Sequence, residues 1–97
     1  MNISAPTLQE KLDNQYYNMQ LLARNIHCLR KKMGWTQMEL AHIAGVWDHQ
    51  VSNLEWRTPH INRGKEGYYN VTFKTVCLIA RAFGVTVSEL CNESLCD

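Results

Sequence analysis

Proline occurs only twice and glycine five times in the 97 residues, with no period to either, which excludes collagen-like and low-complexity chains. The longest uninterrupted apolar run is Val76-Cys77-Leu78-Ile79-Ala80, closed by Arg81. A bilayer-spanning helix needs ~20 such residues, so no membrane partner is expected. Met1 to Asp13 carries no basic patch followed by an apolar stretch, and a cytoplasmic location is therefore expected. No C-x-x-C pair links the four cysteines, Cys28, Cys77, Cys91 and Cys96. Without an export signal they are expected as reduced thiols, Cys28 and Cys77 acting as small hydrophobes on helices. No G-x-G-x-x-G is present, and Gly64-Lys65-Glu66 lacks the Ser or Thr and the upstream Gly of a phosphate loop. There is no G-x-S-x-G elbow and no H-E-x-x-H helix, and the histidines stand singly at 27, 42, 49 and 60. The expectation is a protein that is not an enzyme and uses no cofactor and no metal.

What is present is enough apolar material for one core: 45% of residues are hydrophobic and 20% charged, in a length that suits a single domain. Net charge is only +1 but unevenly spread. From Arg24 to Lys74 eight basic residues face four acids, giving +4, while residues 1–23 hold −1 and residues 75–97 hold −2. A polyanion would meet the middle of the chain.

Apolar residues at Leu8, Leu12, Tyr16, Met19, Leu22, Ile26, Leu29 and Met33 recur every three or four positions, the period of one helical face. Thr7 can cap the start and Gly34 the end, with a break or bend expected near Asn14 to Asn18, where the residues are mediocre helix formers. Thr36 and Glu39 form a capping box for a short helix Gln37 to Ala44, with Trp35 and Leu40 placed as a hydrophobic staple. Gly45 supplies a turn, and a further helix fits Asp48 to Trp56, with Val51, Leu54 and Glu55 inward and Asp48, His49, Gln50 and Asn53 on the remaining face. Pro59 stops it. His60 to Thr72 reads as a loop or small hairpin. Thr72 caps a helix Phe73 to Phe83 whose inward face holds Phe73, Val76, Cys77, Ala80 and Phe83, and Ser88 is placed to cap a last turn through Cys91. The architecture is all-α.

The spacing Gln37-x-x-Leu40-Ala41-x-x-x-Gly45-Val46-x-x-x-x-Val51-Ser52-x-Leu54-Glu55, with the ending Ala80-Arg81-Ala82-Phe83-Gly84-Val85-Thr86-Val87-Ser88-Glu89-Leu90, resembles the lambda-repressor/Cro-like helix-turn-helix family of transcriptional regulators. Each position has a steric reason: Ala41 is small where two helices cross, Gly45 turns the chain, and Val46, Val51 and Leu54 pack the second helix on the first. The resemblance implies a compact five-helix domain over 19–97, preceded by a helical extension, 1–18. It further implies sequence-specific binding of a double-stranded DNA operator by a repressor, with the helix 48–56 in the major groove. Base contacts would fall to Asp48, His49, Gln50 and Asn53, and phosphate contacts to Gln37, Trp47, Arg57, His60, Arg63 and Lys65. Asp48 is equally placed to be the cap of that helix. The chain departs from the family at Trp47, where a Ser or Thr cap is usual, in Glu55-Trp56-Arg57, which lacks the usual Gly or Asn, and in a longer following loop.

One short recognition helix reads few bases, so a homodimer on a palindromic site is expected. The stripe Leu8, Leu12, Tyr16 needs an apolar surface, either this domain's own helices or a second protomer. An alternative function is an antitoxin or anti-repressor module, in which the same fold serves a protein partner.

Overall fold

The computed structural model describes residues 4–57 and 71–96. Helix α1 runs Leu8–Met33, α2 Gln37–Ala44 and α3 Asp48–Ser52, the last continuing as a π-helical turn Asn53–Arg57. Helices α4, Phe73–Phe83, and α5, Val87–Leu90, complete an all-helical fold. The segment expected as loop or hairpin lies almost wholly outside the described residues. None of the described helices is long and apolar enough to cross a membrane.

The expected break in α1 does not occur. Thr7 and Glu10 close a capping box at its start, and the weak stretch is bridged by side chains one turn apart. Gln9 Nε2 donates to Asp13 Oδ1 at 3.1 Å and Asn18 Nδ2 to Asn14 Oδ1 at 3.2 Å. Such pairs each stabilise a helix by about 0.2–0.5 kcal/mol, enough to offset mediocre propensities. The result is one rod about 39 Å long at 1.5 Å per residue.

Among the described side chains of that rod, those that enter the core lie in its C-terminal half. Leu22 and Ile26 pack with Leu40, Ala41 and Ala44 of α2, Val51 and Leu54 around α3, Val76, Ile79, Ala80 and Phe83 of α4, and Leu90 of α5. Trp35 stacks on Phe83 with ring centroids 5.8 Å apart, so the residue before the α2 cap ties α2 to α4. By contrast Leu8 is 73% exposed and Phe73, expected to face inward, is 71% exposed. Phe73 is the first residue of α4, ahead of the turns that reach the core.

The ends of the helices follow the sequence signals with one exception. Thr36 and Glu39 form the expected box, and Thr72 Oγ1 accepts from the Thr75 amide. The last helix is capped by Thr86, not Ser88: Thr86 Oγ1 accepts from the Glu89 amide and Glu89 returns to the Thr86 amide, both at 3.0 Å. That reciprocal pair satisfies two end donors where Ser88 has no acidic residue three positions on.

Two of the four cysteines differ from the expected reduced state. Cys28 of α1 and Cys96 are joined in a disulfide, while Cys77 and Cys91 are free. No spacing rule pairs residues 68 positions apart; the fold does, by returning the chain end to α1.

Candidate functional site

The candidate site is the helix pair α2–α3. The pair is set by Gly45, at φ 76°, whose amide donates to the carbonyls of Ala41 and His42 while the Val46 amide returns to Ala41. Leu40, Ala41 and Ala44 on one side and Val51 and Leu54 on the other are all buried between the helices and α4. The crossing is thus fixed by small and branched side chains, and the polar residues are left on the outer side.

The outer side of α3 begins at Trp47, which is the N-cap residue by backbone conformation yet has no side-chain acceptor to offer. Gln50 closes the start from the other side: its Oε1 accepts from the Trp47 amide at 2.8 Å, and its own amide donates to the Trp47 carbonyl at 3.0 Å. The helix therefore begins at Asp48 despite the missing Ser or Thr, not one residue later as a cap at Asp48 would place it. Asp48 is not the cap; it is the first helical residue, and its Oδ1 accepts from the His49 amide at 2.9 Å. The other end of Gln50 is also engaged, Nε2 donating to Thr75 Oγ1 at 3.4 Å, and Thr75 meets the Thr72 hydroxyl at 3.1 Å. Gln50 is half-buried, whereas Trp47, Asp48 and His49 are exposed and Asn53 is half-buried.

A cleft of about 580 Å³ lies between the starts of α2 and α3, lined by Arg30, Thr36, Gln37, Met38, Asp48, His49 and Ser52. It brings together Gln37, Asp48 and His49 of the residues singled out from sequence. Trp47 and Gln50 border a neighbouring cleft with Thr72 and Lys74 of α4. Arg57 ends the π-helical turn. His60, Arg63 and Lys65 lie outside the described residues.

Behind this face sits an ion-pair network that holds α3 to α1. Glu55, only 6% exposed, receives Arg30 Nε on Oε2 at 2.7 Å and Arg30 Nη2 on Oε1 at 2.8 Å. His27 Nδ1 lies 2.7 Å from the same Oε1, and Arg30 Nη1 donates to the Trp35 carbonyl at 2.9 Å. One guanidinium thus ties α1, the entry to α2 and the end of α3 together. Burial alone would push the Glu55 carboxyl up, but hydrogen bonds from Arg30 and His27, the Arg30 charge and Gln37 outweigh it and hold it below the usual carboxylate range. Glu55 in turn raises Arg30, chiefly through that hydrogen bond. The His27 ring meets Trp56 edge-on at 6.2 Å.

Arg30 and His27 were not singled out from the sequence, although a signal existed. An inward Glu on the α3 stripe demands a cation, and His27 and Arg30 stand one helical turn apart on α1. Lys74 and Thr75 left no comparable trace, because only the fold brings the start of α4 beside the start of α3.

No protein-family model matches the chain, and no solved structure matches it. The chain is similar to a repressor, the Competence pilus inhibition repressor of Acinetobacter baylyi (strain ATCC 33305 / BD413 / ADP1), to which it is 32% identical over 69 residues. That stretch covers 71% of this chain and 54% of the relative, so the chain spans about half the length of the curated relative it matches.

Proposed function

We propose that this chain is a sequence-specific double-stranded DNA-binding regulator of the helix-turn-helix type, a cytoplasmic repressor that occludes a promoter by binding without a chemical step. The observation that carries the reading is the exposed polar start of α3, Asp48 and His49, set across a cleft from Gln37 at the start of α2. A helix presented in this way offers its N-terminal side chains to base edges, while the start of the preceding helix meets a phosphate. Asp48 suits cytosine N4, His49 guanine, and Asn53 adenine. Gln37, Trp47 and Arg57, with His60, Arg63 and Lys65 beyond them, are assigned to the backbone. Gln50, engaged at both ends within the protein, orients α3. The repressor name of the Acinetobacter protein supports the regulatory part of this reading. Two copies, acting on the two halves of a palindromic operator, double the short sequence one α3 can read.

Titration of the protein against duplex DNA from upstream of its own coding region, and against a random duplex, tests this. Affinity for the cognate duplex should fall about a hundredfold or more between about 50 and 200 mM salt, as roughly four phosphate contacts require. Affinity that is flat with salt, or equal for the two duplexes, would sink the proposal.

A further inference from the structure

We propose that Cys28 and Cys96 form a reversible thiol–disulfide exchange site, open to dithiols and glutathione-class thiols, whose state decides whether residues 94–96 are held against α1. The bond joins positions 68 residues apart, both half-buried and within reach of solvent. The remaining attachments gather at the near end of the segment. The buried Asn25 amide donates to the Leu90 carbonyl at 2.7 Å and the Asn92 carbonyl at 2.8 Å. The Arg24 guanidinium donates to the Glu93 carbonyl, and the Tyr17 hydroxyl pairs with the Glu93 carboxylate, both at the surface. Past Glu93 the disulfide is the tether, with Leu95 packed only on the edge of the core.

The core does not depend on that tether. Leu90 is its last fully buried member, and the Asn25 clamp holds Leu90 whichever state the cysteines are in. Opening the bond therefore releases the segment beyond Glu93 and leaves the helices in place.

Cys28 lines a cleft of about 310 Å³ with Gln20, Ala23, Arg24, His27, Glu55 and Trp56, which gives an attacking thiol a way in. The Arg24 guanidinium in that cleft favours a departing thiolate. In the exchange, a thiolate of the reductant bonds to one sulfur of the pair; the other leaves as thiolate and takes a proton. The reductant's second thiolate then attacks the reductant sulfur of that mixed disulfide and expels the remaining protein sulfur as a thiolate that takes a proton, so that two electrons pass to the protein, both its cysteines end as thiols and the reductant ends as a disulfide. Cys91 does not compete, since burial pushes its thiol up and keeps it protonated.

The full chain should be equilibrated in glutathione buffers of graded ratio, its thiols alkylated and mapped by mass spectrometry, and its amide exchange compared in the two states. Cys28 and Cys96 should become alkylated together as the buffer turns reducing. The amides of Ser94 and Leu95, hydrogen-bonded to Asn92 in the closed form, should then exchange about tenfold faster or more, with α1 to α4 unchanged. A Cys96→Ser chain, altered only at the surface end, should show the fast exchange in every buffer. The proposal is overturned if Cys28 and Cys96 stay alkylatable in the most oxidising buffer, if they resist the most reducing one, if reduction melts the helices, or if exchange at 94–95 ignores the redox state.

Discussion

At the scale of single residues, Glu55 is the most constrained group. A carboxylate at 6% exposure is tolerable only because Arg30 meets both its oxygens and His27 one of them. Replacing it by Gln leaves the buried guanidinium uncompensated, and a loss of about 3–5 kcal/mol is expected, read from denaturant unfolding. The pair also carries a pH signature. The folded Glu55 carboxyl lies below the ordinary 4.5, so its contribution is complete above that value and is lost as the pH falls through the folded one. The wild-type chain should lose stability in this acid range more steeply than Glu55→Gln; parallel acid profiles for the two would show that Glu55 is not held down. In DNA binding, His49→Ala and Asn53→Ala should each cost about 1–3 kcal/mol on the cognate duplex and much less on a random one. Gln50 and Thr75 should behave as a coupled pair, because Thr75 is buried and its hydroxyl accepts from Gln50 Nε2, which links it to the outer side of α3. A double-mutant cycle of Gln50→Ala and Thr75→Val on cognate affinity should be non-additive; strict additivity would return Gln50 to direct base reading.

At the scale of elements, the turn between α2 and α3 is set by backbone conformation. Nothing lies within 4 Å of a Cβ built on Gly45, so space does not demand glycine there; its φ of 76° does. Gly45→Ala should therefore cost about 1–2 kcal/mol, the penalty of the left-handed region for an L-residue, and Gly45→Asn less, since Asn tolerates that region better. Thermal unfolding of the two variants separates this from a packing effect, under which Asn would be the worse. The helix starts were legible because caps are local: Thr7, Thr36 and Thr72 act within three residues of themselves. The unbroken α1 was not, because propensity weighs residues singly and the Gln9–Asp13 and Asn14–Asn18 links act between them. The choice of Thr86 over Ser88 was legible too, since Glu89 stands three residues after Thr86 and no acid stands three after Ser88.

At the scale of the molecule, α1 projects well beyond the core. Among the described side chains its first buried residue is Leu21, and Leu8 stands 73% exposed, so the start of the Leu8 stripe is not seated in the core. The Tyr17 hydroxyl is hydrogen-bonded to Glu93 at the surface. Deleting residues 1–18 should leave unfolding of the remaining helices nearly unchanged. If the proposed dimer uses this projection, the deletion should also halve the mass in solution and weaken operator binding. Light scattering and titration decide it; a truncated chain that keeps the parent's mass and affinity removes the N-terminal half of α1 from any dimer.

The sequence by itself determined the helices and the turn that pairs α2 with α3, since caps, a positive-φ glycine and a 3.6-residue apolar period act over a few residues and need no partner. It also determined which polar residues stand on α3. Only the tertiary structure decided what those residues face. Trp47, Asp48 and His49 remain open, Gln50 is drawn back to Thr75, and Glu55 is held by an arginine 25 positions earlier. The Cys28–Cys96 bond belongs to the same category. Contacts between residues far apart in the chain depend on how helices cross, and crossing angles are settled by the summed packing of Leu22, Ile26, Leu40, Val51, Leu54, Ile79 and Leu90, which no local pattern encodes.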